Sequence, residues 1–479
     1  MRDCFLWKEG QGPTFYQEEI LDDLITYKRE AIRGPHGLGK TALASWVVLW
    51  YALTRDGDNE RDWKVACTAS NWRQLSKYLF PEVQKWTRRL NWKKIGRPAF
   101  KKKVELLELS LKLRTGEVFC LASKQSDALE GVHADGVLYI LDESKAIQDP
   151  IWDSVEGAFS TGNEGGTEVF ALAISTPGPQ IGRFFEIHSR KAGLEDWHVR
   201  HVTMDEAQAA GQMDPEWAKQ RAAQWGEKSA TYINKVLGEF AADDTTGVIP
   251  FSWLSMAQQR WENIEEFGQI ETIGVDVAGA TQASDWTVIA PMHENFVVGE
   301  LEVHEEGNID TVTMEIAGYV KGYLDKGAKA VIDTIGIGTG VADRLSEQGY
   351  KVRRFIASQK TDAKDSSDKY GFFNKRSASW WRLREMLNPE SGLEVALPPL
   401  DALTQELTAP TWSMQSGGRY RVEGKDALKK RLNRSTDHAD AVIMALTGLE
   451  FTDEDDWEIE VVNLGQMVNE YRATREKNL

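Results

Sequence analysis

Apolar and polar positions along the first 180 residues fall into short runs separated by turn residues. A helical segment covers residues 16–27. A short strand at 30–33, a glycine-rich turn and a long apolar helix follow it. Strand candidates at 63–69, 107–113, 117–122, 136–141 and 168–175 alternate with helical stretches. Their nearly continuous apolar character predicts a parallel sheet covered on both faces. Residues 183–240 read as mostly helical, and 239–250 carry linker signals, Asp243-Asp244-Thr245-Thr246-Gly247 ahead of Pro250. A second series then begins with three consecutive strands at 271–277, 286–291 and 296–304. A helix at 310–326, a strand at 328–333, another helix and a strand at 351–356 complete it. That order predicts a mixed sheet. The expected organisation is a first domain over 1–240 with a lid-like helical part at 183–240, a linker at 241–252, a second domain over 253–452, and an acidic, charged tail at 453–479 whose run 466–477 looks helical.

Bulk composition narrows the class. The chain has 479 residues, 41% hydrophobic and 27% charged, enough for two cores without disulfide or metal staples. Cys4, Cys67 and Cys120 have no paired spacing, so they read as reduced thiols. The first residues lack the apolar core of a signal peptide. The longest apolar run, 42–53, falls short of the roughly 20 residues that span a bilayer. A soluble intracellular protein with no membrane partner is expected. Lys and Arg number 57 against 74 Asp and Glu, a net charge of −17. This excludes a surface coated for nucleic acid, so any contact with DNA must use local basic patches.

Candidate chemistry begins in the glycine-rich turn. Gly34-Pro35-His36-Gly37-Leu38-Gly39-Lys40-Thr41 fits the phosphate-loop pattern at every fixed position. Glycines let successive N–H groups wrap an anion, and the following helix adds its positive end. Lys40 reaches the outer phosphates, and Thr41 holds Mg²⁺. An apolar strand ending in Asp142-Glu143 supplies a metal anchor and a carboxylate to orient water. The next strand ends in Ser175-Thr176, either sensors of the terminal phosphate or a capped turn before Pro177. Upstream, Gln17 reads an adenine edge or is a surface helix residue. ATP with Mg²⁺ is the expected ligand.

A second centre is a set of carboxylates. The strand 271–277 carries Asp276, Asp285 precedes the next one, Asp333 ends the strand 328–333, and Asp437 and Asp440 open a late helix. Each alone reads first as structural, Asp333 capping the following turn and Asp437 its helix. Together, acids on a first strand, a fourth strand and a late helix follow the RNase H-like nuclease order. Oxygen-only donors suit two Mg²⁺ ions, with Mn²⁺ as substitute. Asp276, Asp333 and Asp440 are the expected core ligands, and Asp285 and Asp437 accessory ones. The basic run Lys425, Lys429, Lys430, Arg431, Arg434 and the segment Phe372-Phe373-Asn374-Lys375-Arg376 are either phosphate-holding patches or solvated faces. The 18 tryptophans, Trp46, Trp50, Trp380 and Trp381 among them, read as core or interface rather than base-stacking platforms.

Phosphate loop, Asp142-Glu143, Ser175-Thr176 and the upstream Gln17 resemble the ATPase domain of phage large terminase subunits. Their nuclease domains are similar at Gly274-Val275-Asp276, Asp285, Asp333 and Ser435-Thr436-Asp437-His438-Ala439-Asp440-Ala441, with Thr436 standing where proline is usual. The resemblance covers residues 15–450. It implies an α/β chain with an N-terminal P-loop NTPase domain followed by an RNase H-like nuclease domain. It also implies a homo-oligomeric ring that drives duplex DNA into a capsid and cuts it in the host cytoplasm. Portal protein and small terminase subunit are the implied partners, with the acidic tail a contact for portal or capsid. An arginine finger is implied too, with Arg73 and Ser123-Lys124-Gln125 as candidates. The alternatives are a helicase-nuclease of repair or conjugation, which would need a second ATPase core, and a docking subunit whose nuclease carboxylates hold no metal.

Overall fold

The computed structural model describes residues 2–57, 61–121, 129, 131–160, 167–278, 286–304, 309–432 and 434–448. The chain divides into two compact units, Met1–Ala242 and Asp243–Leu479.

The N-terminal unit is built on seven strands, β1 (Arg29–Arg33), β2 (Trp63–Ala69), β3 (Ser110–Lys112), β4 (Gly116–Leu121), β5 (Gly136–Asp142), β6 (Glu168–Ser175) and β7 (His198–His201), in the order β3-β4-β2-β5-β6-β1-β7. All neighbours run parallel except β3, which lies antiparallel to β4. Helix α1 (Phe15–Tyr27) starts at a Thr14–Gln17 capping box, and α2 (Lys40–Arg55) buries Leu43, Val47 and Leu49 on one face of the sheet. Trp152, Phe184 and Trp197 pack with Ala31 and Tyr139 in a separate core. This is a P-loop NTPase fold. Two features depart from the sequence expectation. The stretch 183–240 contributes β7, an edge strand of four half-buried residues, two of them histidines, with no apolar run to signal it. The strand expected at 107–113 shrinks to the three residues of β3, and it turns antiparallel.

The C-terminal unit carries β8 (Ile270–Asp276), β9 (Thr287–His293), β10 (Val297–Val298), β11 (Glu302–His304), β12 (Lys329–Asp333) and β13 (Arg353–Phe355). Their order is β10-β9-β8-β12-β13, with β11 also on β9. The β8–β9 pair is antiparallel, while β12 runs parallel to both β8 and β13. That is the RNase H-like order. Helices α3 (Ile309–Leu324) and α4 (Ile337–Glu347) cover Ile273, Val275 and Ile332 on one face. On the other lie α5 (Lys375–Leu387) and α7 (Asp437–Thr447), with α6 (Lys425–Leu432) preceding α7 along the chain. The expected strand 296–304 is split at Gly299, where a Cβ would lie 2.7 Å from Nε2 of His293. A second small sheet, β14 (Gly371–Phe372), β16 (Arg419–Val422) and β15 (Trp412–Gln415) in that order, was not foreseen. Its strands are half-exposed and polar, and Tyr420 holds it to α5 by stacking on Trp381 at 3.8 Å. Among the described residues no helix is long and apolar enough to cross a membrane.

Candidate functional sites

The parallel register of the N-terminal sheet aligns the strand ends that matter. Asp142 pairs with Ile174, and Ser175 with Arg33. Asp142, Ser175 and the residues after Arg33 therefore meet at one edge, the usual ligand edge of such sheets. The turn after β1 needs its glycines. Gly37 and Gly39 have φ of 84° and 75°, and a Cβ on Gly34 would come within 2.8 Å of the Val202 carbonyl. Gly39 caps α2 with no side-chain hydrogen bond, so the first N–H groups of the helix are left for an anion. Thr41 is half-buried in that first turn.

Lys40 donates from Nζ to the Gly34 carbonyl (3.2 Å), the Pro35 carbonyl (2.6 Å) and Thr176 Oγ1 (3.0 Å). Burial lowers its pKa to about 8, against the opposing charges of Glu143 and Asp142. Burial and the neighbouring Glu143 push Asp142 up to about 7. Its Oδ2 accepts from Gln74 Nε2 at 3.1 Å. Glu143 is held in left-handed backbone, φ 49° and ψ 49°, and its Oε2 accepts from Ser175 Oγ at 3.0 Å. A non-glycine residue in this region costs about 1 kcal/mol and is a recurrent mark of functional turns. Gln17 lies against the same loop. Its Oε1 accepts from the Thr14 N–H (2.9 Å), and its Nε2 donates to the Leu38 carbonyl (3.1 Å). Gln74 gave no sequence signal, because its role depends on β2 lying beside β5.

In the C-terminal unit Val275 pairs with Ile332 on adjacent parallel strands. One step on, Asp276 and Asp333 leave the sheet at the same level. Helix α7 crosses this face so closely that a Cβ on Gly274 would lie 2.0 Å from the Ala441 carbonyl and 2.4 Å from the Ala445 nitrogen. Only glycine admits that approach, which brings the first turn of α7, with Asp437 and Asp440, to the strand ends. Asp276, Asp437 and Asp440 are buried, and Asp333 is half-buried.

Two cations sit among these four acids. Lys425 Nζ lies 2.9 Å from Asp276 Oδ2, 3.0 Å from Asp440 Oδ2 and 3.5 Å from Asp437 Oδ1. Arg376 Nη1 lies 2.6 Å from Asp440 Oδ1. Thr436 Oγ1 donates to Asp440 Oδ2 at 2.9 Å, a bond proline could not make, and the Trp286 N–H donates to Asp437 Oδ2 at 2.9 Å. Burial opposes ionisation of Asp440, but Arg376 and Lys425 hold it well below the usual carboxylate range. Burial and the other three carboxylates push Asp276 well up despite Lys425. Burial, with Asp440 adding to it, raises Asp333 to about 6. Four carboxylates thus face two side-chain cations. An ammonium already sits between three of the acids as a cation in their midst. The donor set is all oxygen, so these residues fit hard divalent ions.

Within the basic run, Lys425 turns inward to the acids, Arg431 pairs with Glu423 at 2.6 Å, and Arg434 donates to Gln405 Oε1 at 2.8 Å. Lys430 and Arg431 are exposed. Arg376 is buried on Asp440. A run of Lys and Arg gives no sign of which members point inward. Asp285, Ser123-Lys124-Gln125 and the tail 453–479 lie outside the described residues.

No protein-family model matches the chain. It is 25% identical over 463 residues, 91% of its own length and 88% of the other's, to a probable terminase large subunit of Enterobacteria phage P7. Over most of its length the chain is thus similar to a phage large terminase subunit. Similar solved structures include the large terminase of a thermophilic bacteriophage in complex with ADP, at 12% identity and a TM-score of 0.41, covering 92% of this chain and 100% of that one. The nuclease domain of the large terminase subunit gp2 of bacterial virus Sf6 is also similar, at 20% identity and a TM-score of 0.35, covering 42% of this chain and 97% of that one.

Proposed function

We propose that this chain is an ATP-hydrolysing DNA translocase and metal-dependent endodeoxyribonuclease, the motor and cutter of viral genome packaging. The observation that carries the reading is the meeting of Asp276, Asp333, Asp437 and Asp440 at one edge of an RNase H-like sheet, in a chain whose other unit holds a phosphate loop beside Asp142 and Glu143. The relationship to a probable terminase large subunit over 91% of the chain supports joining the two activities.

In the N-terminal unit Gln17 reads the adenine, while Gly34, Gly37 and Gly39 let the loop wrap the phosphates. Lys40 offsets charge on the transferring group, Thr41 and Asp142 hold Mg²⁺, and Glu143 orients water for attack. Ser175 and Thr176 register the state of the terminal phosphate through their contacts with Glu143 and Lys40. In the C-terminal unit Asp276, Asp333 and Asp440 hold Mg²⁺ or Mn²⁺, with Asp437 and Asp285 as accessory ligands. Such ions would supply Lewis-acid stabilisation of the charge that develops on a phosphodiester as it is cut. Arg376 fixes the Asp440 carboxylate, and Lys425 keeps the acids together until the cation enters. A ring of subunits working in the host cytoplasm, with portal protein and small terminase subunit as partners, completes the reading.

Single substitutions separate the activities. Lys40→Ala or Glu143→Ala abolishes ATP turnover and spares Mn²⁺-supported cutting of plasmid DNA, while Asp333→Ala does the reverse. A Lys40 or Glu143 variant that kept wild-type ATP turnover, or an Asp333 variant that kept cutting, would remove the assignment for that unit.

A further inference from the structure

A carboxylate with no hydrogen-bond partner among the described residues lies inside the N-terminal unit, away from the phosphate loop's own acids. Glu30 on β1 is 0% exposed, and among the described residues neither of its oxygens meets a hydrogen-bond donor. An ionised carboxylate left this way is costly, and burial accordingly raises Glu30 to about 9, with Asp23 and Glu19 adding to the shift and Arg200 opposing it. Arg200 is itself bound to Glu19 and Glu206.

What faces Glu30 is a set of metal donors. Its register partner on β7 is His198, so the two side chains leave the sheet on one face. His198 Nδ1 lies 3.5 Å from Glu30 Oε1 and 4.0 Å from Asp23 Oδ2 of α1, and it too has no hydrogen-bond partner. The donor atoms of Asp23, Glu30 and His198 all lie within 4.8 Å of one another. Tyr27 lies flat on the imidazole with ring centroids 4.2 Å apart, which fixes the ring plane. The side chains of Asp23 and His198 are 26% and 23% exposed, so the site is open to solvent on one side.

We propose that Asp23, Glu30 and His198 bind a borderline divalent cation of the zinc type, tying α1 and β7 to β1 just ahead of the phosphate loop. One imidazole and two carboxylates, with water in the open position, suit zinc and not magnesium. Bonds of about 2.1 Å put tetrahedral ligand atoms roughly 3.4 Å apart. The Glu30–His198 pair already meets that spacing, and Asp23 closes it by a small swing of a half-buried side chain. The ion supplies the positive charge that Glu30 lacks. It also links the helix bearing Gln17 to the strand leading into Gly34. The site is separate from the Asp142 and Asp276 clusters, whose all-oxygen donors take harder ions.

The test uses the full-length chain, stripped of metal, loaded with Zn²⁺ and desalted, with zinc counted by mass spectrometry and thermal melting followed alongside. Wild type retains one more equivalent than Glu30→Gln, His198→Ala or Asp23→Asn. Asp333→Asn, in the other unit, keeps that equivalent. Free Zn²⁺ at about a hundred times its dissociation constant raises the melting midpoint of the N-terminal transition by ~5 °C in wild type and not in the three variants. Asp23→Asn alters only a half-exposed helix residue, so it keeps the test decisive even if a substitution at Glu30 or His198 prevents folding. Equal zinc in wild type and Asp23→Asn, or no retained zinc in wild type, overturns the proposal and leaves Glu30 as a neutral acid beside His198.

Discussion

Replacing Lys425 with methionine keeps most of the aliphatic stem and removes the ammonium that faces Asp276, Asp437 and Asp440 at 2.9, 3.5 and 3.0 Å. These acids are buried, with side chains 7%, 8% and 11% exposed, while the Lys425 side chain is 35% exposed. Breaking a buried pair from one side costs about 3–5 kcal/mol, and the partial exposure of Lys425 brings this to about 2–3 kcal/mol through solvent screening. Without divalent ions the melting midpoint of the C-terminal transition therefore falls by about 4–12 °C. The same energy is no longer spent displacing the ammonium when a cation enters, so Mn²⁺ binds roughly 30- to 150-fold more tightly than to wild type. Calorimetric titration of Mn²⁺ and melting with and without it measure both quantities. If Lys425→Met melts as wild type does and binds Mn²⁺ with unchanged affinity, the ammonium does not compete for the cation site, and the reasoning fails.

Three further outcomes follow from the same geometry. Gly274→Ala sets a Cβ against the backbone of α7, so it lowers stability in urea by about 2–3 kcal/mol and weakens Mn²⁺ binding at least tenfold as Asp437 and Asp440 move away. Glu143→Gly is about 1 kcal/mol more stable in urea than Glu143→Ala, because both lose the Ser175 bond and only glycine relieves the φ of 49°. The raised Asp333, near 6, and the raised Asp276 bind protons more tightly folded than unfolded. The metal-free C-terminal unit therefore loses stability as pH climbs from about 4 through 6. Over the same window Mn²⁺ affinity rises, by about tenfold per pH unit for each proton displaced. Melting and titration at stepped pH measure the two slopes.

Parts of this arrangement are legible in the residues, and parts are not. The turn at Gly34–Thr41 is written by fixed glycines between an apolar strand and an apolar helix, a local signal. Bringing Asp276 beside Asp333 needs only that two apolar strands be adjacent, parallel and level, and each ends in its acid. Gly274 looks like an ordinary strand glycine in the sequence; its necessity comes from the path of α7. Lys425 and Arg376 sit in charged, hydrophilic stretches that read as outer faces, and only the phase of α5 and α6 turns them inward. His198 and Glu30 were silent for a related reason. The strand β7 has no apolar run, so nothing local announces that it will lie in register with β1.

Asp276, Asp333 and Asp440 are proposed to converge on the ions that cut DNA, and anomalous diffraction from crystals of the full chain soaked in Mn²⁺ puts that to the test. Two peaks about 3.5–4 Å apart are expected among these carboxylates, with the Lys425 ammonium displaced from Asp276. Saturating Mn²⁺ with no peak between Asp276 and Asp333, and Lys425 still on Asp276, would overturn the proposal.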